Sequence, residues 1–220
     1  MSNKLCKHRH TAETHPKCFS RQWYENPEVR VGYLDIEASD LAANKAWMLS
    51  WSIQARSLAG KKYDTVAYDF VKYDEFFLAP GVVNREYDRN IVNSLLDEMQ
   101  NYDLLVTYYG TGFDIPFIRT RAMILGITGY PKPKRIAHLD LYYHVRSKMS
   151  LDRNSLAQAT KCLEIDGKTH LDFIYWKLAA MGDEKCMETL LDHNVKDVAI
   201  LEGLHKELEP YVTFKKNSYI

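Results

Sequence analysis

The chain has no apolar run approaching the roughly twenty residues that a membrane-spanning helix needs, so no membrane partner is expected. Its first residues are polar and hold no apolar signal core, so a cytoplasmic rather than an exported protein is expected. It also lacks net charge, because 29 Lys and Arg balance 29 Asp and Glu. That balance argues against a protein that coats nucleic acid by bulk electrostatics. It leaves room for an enzyme whose acidic site is offset by a basic substrate groove. Cysteine is scarce, at four residues. Two of the four fall in a His-rich stretch, which points to a reducing compartment and metal ligation rather than disulfides. No internal repeat or low-complexity segment occurs.

What remains is an ordinary globular composition, 46% hydrophobic and 26% charged, in 220 residues. That length supports one full core and is short for two. The chain divides into a polar, basic N-terminal segment, residues 1–26, and a patterned remainder, residues 27–220. In the remainder, residues 29–37 are apolar on both faces and read as a buried central strand. Residues 46–56 and 62–71 read as two more strands, joined by a hairpin turn over 57–61 with Gly60. Tyr87, Ile91, Leu95 and Met99 mark a helix over 84–102. A strand over 103–108, a Gly-bearing turn, a helix over 113–125 and a short strand over 136–141 follow. Everything after residue 150 reads as helical, closing with an amphipathic helix over 183–208. Three meandering strands followed by alternating strands and helices predict an α/β protein with a mixed sheet covered on both faces.

Four acids punctuate that pattern. Asp35 and Glu37 lie two apart in one strand and therefore share a face. Asp114 stands where a strand has ended and a helix begins. Asp197 lies mid-helix beside Leu190, Leu191, Val198 and Leu201, with His193 one turn earlier on the same face. Singly, each has a plain structural reading: a solvated strand end, a first-turn acid, a His–Asp helix contact. Together they are costly. Two carboxylates about 5 Å apart repel by roughly 3 kcal/mol at an effective dielectric near 20. Divalent cations relieve such repulsion, and oxygen-rich sites suit Mg²⁺ or Mn²⁺.

Asp35-x-Glu37, Gly110-x-x-Phe113-Asp114 and His193-x-x-x-Asp197 resemble, in that order, the three motifs of the DEDD 3′–5′ exonucleases. This superfamily has a ribonuclease H-like fold and includes the proofreading domains of family B DNA polymerases. The resemblance runs over residues 29–211, and the overall look is that of stand-alone, phage-type exonucleases. It implies a ribonuclease H-like mixed sheet with helices on both faces. It implies that Asp35, Glu37, Asp114 and Asp197 bind two Mg²⁺ or Mn²⁺ ions. His193, one turn before Asp197, is a candidate catalytic residue by its own chemistry, either as the base for the attacking water or as a group that only orients it. The resemblance also implies hydrolysis of phosphodiester bonds at the 3′ end of DNA, single strands being favoured. The compartment is then the cytoplasm, the host's if a phage encodes the chain. In one place the sequence departs from the pattern. The spacing of the third motif is that of the tyrosine subgroup, yet His193 stands where the tyrosine would be. An RNA-trimming exonuclease, a structure-selective endonuclease and a non-catalytic nucleic-acid-binding module are the competing readings. A polymerase or other replication partner is compatible with the family but not indicated by the residues.

Further residues extend the expectation. Arg119 and Arg121 on the helix after Asp114, with Lys132, Lys134 and Arg135 beyond, are candidate phosphate contacts; a solvated basic face is the alternative. Tyr109 and Phe113 are candidates for stacking on bases, with Tyr108 beside them. Asp140 is either a fifth acid near the site or a structural residue. Cys6, His8, His10, His15 and Cys18 offer five ligands for one structural Zn²⁺, Cys6, His15 and Cys18 being joined by His8 or His10. The alternative there is a basic arm touching DNA. Cys162 and Cys186 read as helical core residues.

Overall fold

The structure is a computed structural model describing residues 29–56, 66–72, 86–166, 170–211 and 219–220. Five strands are described: β1 (Val31–Ala38), β2 (Met48–Ala55), β3 (Val66–Phe70), β4 (Leu104–Thr107) and β5 (Ala137–Asp140). Six helices accompany them: α1 (Arg89–Met99), α2 (Asp114–Ile124), α3 (Leu141–Lys148), α4 (Leu156–Cys162), α5 (Ile174–Ala180) and α6 (Glu184–Leu208). The sheet order is β3-β2-β1-β4-β5. β1, β2 and β3 form the antiparallel meander, whereas β4 pairs with β1, and β5 with β4, in parallel. The sheet is therefore mixed, with β1 at its centre.

Side-chain alternation sorts the core onto the two faces of this sheet. Leu34, Ile36, Leu49 and Ile53 pack with Ile91, Leu95 and Met99 of α1 and Ile118 of α2. On the opposite face Val31, Tyr33, Leu104 and Val106 pack with Val145 of α3, Ala159 of α4 and Val198, Leu201 and Leu204 of α6. The contact between α6 and the meander also has a polar seam. Tyr33, Asp35 and Glu37 lie opposite Gln54, Ser52 and Ser50 in register, so one face of two strands presents six polar groups. Helix α6 answers them. Tyr33 OH lies 3.0 Å from His205 Nδ1, Gln54 Nε2 donates to Glu202 Oε2 at 2.5 Å, and Ser52 Oγ donates to the Asn194 carbonyl at 2.9 Å. Buried polar groups left without such partners would cost more than their bonds return, so this seam fixes the register of α6 on the sheet.

The expected elements are present at these places, with shorter bounds. The hairpin turn over 57–61 lies outside the described residues. Helix α3 was not anticipated; Asp140 starts it, its side chain accepting from the Tyr142 N–H, as an N-cap aspartate does. Among the described residues the helical stretch after residue 150 is three α-helices and a short 3-10 helix, Glu209–Tyr211. Gly182, at φ 91, lets the chain turn after α5. Asp183 then caps α6 by accepting from the Cys186 N–H. Cys186 is buried as expected, but Cys162 is exposed at the end of α4 and is no core residue. Among the described residues no helix is long and apolar enough to cross a membrane.

Candidate active site

The site forms where β1 outruns its parallel neighbour. β4 pairs with β1 only through Tyr33. Three residues on, the Ile36 N–H donates to Asp114 Oδ1 at 3.2 Å. A carboxylate from the next motif thus takes over a donor that the sheet does not use. Asp114 opens α2 and is 4% exposed. Burial pushes its pKa up to about 7, against hydrogen bonds from its own and the Ile36 N–H, and with the Asp140 charge adding to the rise. Desolvation outweighs hydrogen bonding here.

The turn leading to Asp114 is tightly specified. A Cβ at Gly110 would meet Thr107 Cβ at 2.5 Å, a clash with atoms that cannot swing away. Tyr109 sits at φ 63, unusual for a bulky side chain. The Asp140 carboxylate accepts from the Tyr109 N–H at 2.8 Å and the Thr111 N–H at 2.9 Å. Asp140 is therefore a structural clamp on this turn as well as the cap of α3. Beneath it Thr107 Oγ1 and His138 Nε2 lie 2.8 Å apart, and burial lowers the His138 pKa.

Helices α5 and α6 bring the remaining groups. Asn194, fully buried, donates from Nδ2 to Asp35 Oδ2 at 2.6 Å and lies 3.5 Å from Ser50 Oγ. Its neighbour His193 places Nε2 3.8 Å from Asp197 Oδ2, both side chains being buried. Trp176 of α5 donates its indole N–H to Glu37 Oε2 at 2.7 Å and meets the His193 ring edge-on, centroids 5.9 Å apart. A chain of direct contacts therefore joins the three acid-bearing segments at the end of β1. Sequence reading missed Trp176 and Asn194. Asn194 lay inside the third motif and was legible as a polar residue on a buried helix face. Trp176 carries no spacing signal at all.

The candidate strand-contact residues separate. Tyr109 is 46% exposed, Arg119 is exposed with its guanidinium 5.6 Å from the Tyr130 ring centre, and Lys132, Lys134 and Arg135 are exposed. Phe113 is half-buried against Phe117. Arg121 is corrected: it is buried, with Nη2 2.6 Å and Nε 2.8 Å from the two oxygens of fully buried Asp88. Because Asp88 also accepts from the Met48 N–H at 2.8 Å, this pair ties α1 and α2 to the sheet and does not face a ligand. The zinc candidates Cys6, His8, His10, His15 and Cys18 lie outside the described residues.

In donor chemistry the four carboxylates fit a hard divalent cation, and Asp114, forced toward neutrality by burial, carries the cost that a cation would relieve. As the side chains stand, Asp35, Glu37 and Asp114 each direct one oxygen to a protein donor. Among the described residues no three His, Cys, Asp or Glu form a ready-made ion cage.

A five-stranded mixed sheet, flanked by helices and bearing acids at the end of its central strand, defines a ribonuclease H-like α/β protein. The family model described as RNase H superfamily matches residues 32–209, and the chain belongs to that superfamily. Among solved structures it is similar to the family B DNA polymerase from the hyperthermophilic archaeon Pyrobaculum calidifontis, with TM-score 0.59 and 20% identity. The match covers 84% of this chain and 25% of the polymerase, so the likeness is one of fold over about a quarter of that protein. No curated protein matches the chain.

Proposed function

We propose that this protein is a two-metal-ion 3′–5′ exonuclease that hydrolyses phosphodiester bonds at the 3′ end of single-stranded DNA. The observation that carries the reading is the contact chain at the end of β1. There Asp114 holds the Ile36 N–H, Asn194 holds Asp35, and Trp176 touches both Glu37 and His193. Segments up to 159 residues apart meet there around the acids of the first two motifs. Asp35, Glu37, Asp114 and Asp197 would hold two Mg²⁺ or Mn²⁺ ions, which when bound supply an activated water and offset charge on the leaving oxygen. Among the chain's own groups, His193 Nε2, 3.8 Å from Asp197 Oδ2, accepts the proton of the attacking water. Tyr109, Phe113 and Arg119 hold the strand.

The test is cleavage of 5′-labelled single-stranded DNA and RNA with and without Mg²⁺. A Mg²⁺-dependent ladder shortening from the 3′ end of DNA is expected, and Asp35→Ala should remove it. Activity persisting in Asp35→Ala, or cuts inside a circular strand, would overturn the assignment. His193→Ala should lose the acid limb of the pH–rate profile. A His193→Tyr enzyme with full activity and an unchanged profile would make this residue an orienting group instead of a base.

A further inference from the structure

The turn that delivers Asp114 holds one non-glycine residue in a strained backbone. Tyr109 holds a left-handed backbone, φ 63, with its ring 46% exposed. An exposed tyrosine would relax to an ordinary conformation unless its surroundings over-determined it. They do. The Asp140 carboxylate takes both the Tyr109 and the Thr111 N–H. Gly112 leaves room for the ring: a Cβ there would stand 2.5 Å from Tyr109 Cζ. Three local features thus pin one aromatic ring at the surface.

The same carboxylate orients a second aromatic segment. Asp140 Oδ1 also accepts from the Tyr142 N–H at 3.1 Å, and Tyr142 and Tyr143 lie in the first turn of α3. The rings run on from one another. Tyr109 and Tyr142 meet edge-to-face at 4.9 Å, Tyr142 and Tyr143 at 5.2 Å, and Tyr143 is 44% exposed. Tyr108 braces the underside, its hydroxyl donating to the Asn154 carbonyl at 2.6 Å and its ring 5.9 Å from Tyr142. Edge-to-face contacts fix ring orientation, so the two nearly half-exposed rings are presented rather than floppy.

We infer that Tyr109, Tyr142 and Tyr143 form a stacking strip for unpaired bases of a nucleic-acid strand whose end enters the site at Asp114, with Asp140 as its positioning residue. The inference deepens the exonuclease reading and rests on it for the direction of the strand. Aromatic faces suit bases of any sequence, because every base offers a π-face, and a chain of zero net charge has need of such contacts. The alternative occupant, a protein partner, is an outcome of the test.

The test measures binding of fluorescein-labelled oligo(dT), and of the same backbone with abasic sites, in EDTA so that nothing is cut. Wild type should prefer the oligo with bases. Tyr109→Ala and Tyr143→Ala should each weaken its binding about tenfold, in line with about 1–3 kcal/mol per stacked base. The abasic strand should be bound equally by wild type and by these two alanine variants. Tyr143→Phe should retain wild-type affinity, since the face and not the hydroxyl is used. Asp140→Asn, which weakens the clamp on both segments, should lower affinity for the oligo with bases more than for the abasic strand. Equal binding of both strands by wild type, or unchanged affinity in Tyr143→Ala, would overturn the strip. A protein that binds bases through these tyrosines but never cuts with Mg²⁺ would keep the strip and end the exonuclease reading. One that cuts 3′ ends equally well without the tyrosines would do the reverse.

Discussion

At the scale of single residues, Asp114 is a group whose state depends strongly on its surroundings. In the unfolded chain its carboxyl titrates near about 3.9, whereas burial lifts it to about 7 in the fold. The folded form therefore holds a proton that the unfolded form has lost. Its contribution to stability is complete below about pH 4 and disappears as the pH rises through about 7. The cation-free melting temperature should carry this decline, and Asp114→Asn should flatten it. His205 works in the opposite sense. Buried, and with Arg56, His144 and Lys206 opposing its charge, it has a folded pKa near 3, so its contribution is present above about pH 6.5 and is lost as the pH falls through about 3. The difference between wild type and Asp114→Asn, scanned from pH 5 to 8, removes that background. A pH-independent difference would mean that Asp114 is not protonated in the fold. Adding Mg²⁺ at pH 8 should restore the wild-type melting temperature and leave Asp114→Asn nearly unmoved.

At the scale of elements, α5 is a short helix whose Trp176 bridges a strand and another helix. Trp176→Phe keeps the ring beside His193 and deletes the donor to Glu37. The expected result is a fall of about tenfold in kcat, in line with about 1.4 kcal/mol of lost positioning, with KM for DNA little changed. A larger change in KM than in kcat would mean that Trp176 touches the strand itself. The Asp88–Arg121 pair holds α1 and α2 to the sheet, and breaking it leaves an uncompensated buried charge. Arg121→Ala should cost about 3–5 kcal/mol in urea unfolding without altering the affinity of the folded fraction for DNA. These two cases mark where sequence reading stops. Strands, the long helices and the three acidic motifs were legible because periodicity and local spacing encode them. Helix α3, by contrast, depends on one cap and eight residues. The burial of Arg121 was set by Asp88, 33 residues away, a partner that no local pattern announces. Trp176 was invisible for the same reason, its partner lying 139 residues back.

At the scale of the whole molecule, zero net charge shapes how a strand is held. If the strand is held by stacking on tyrosines, as proposed, binding of single-stranded DNA should depend only mildly on salt. A slope of log K against log salt near about −2 is expected, at about −0.7 per phosphate contact. A slope steeper than about −5 would reveal an extended basic surface instead. The long-range wiring has a consequence for how the protein comes into being. Asp35 waits for Asn194, 159 residues later, and Glu37 for Trp176. A nascent chain that has not yet reached α6 already owns the first two motifs but lacks His193 and Asp197. On the proposed reading, competence to degrade nucleic acid therefore arrives only once α6, which carries His193 and Asp197, has been made.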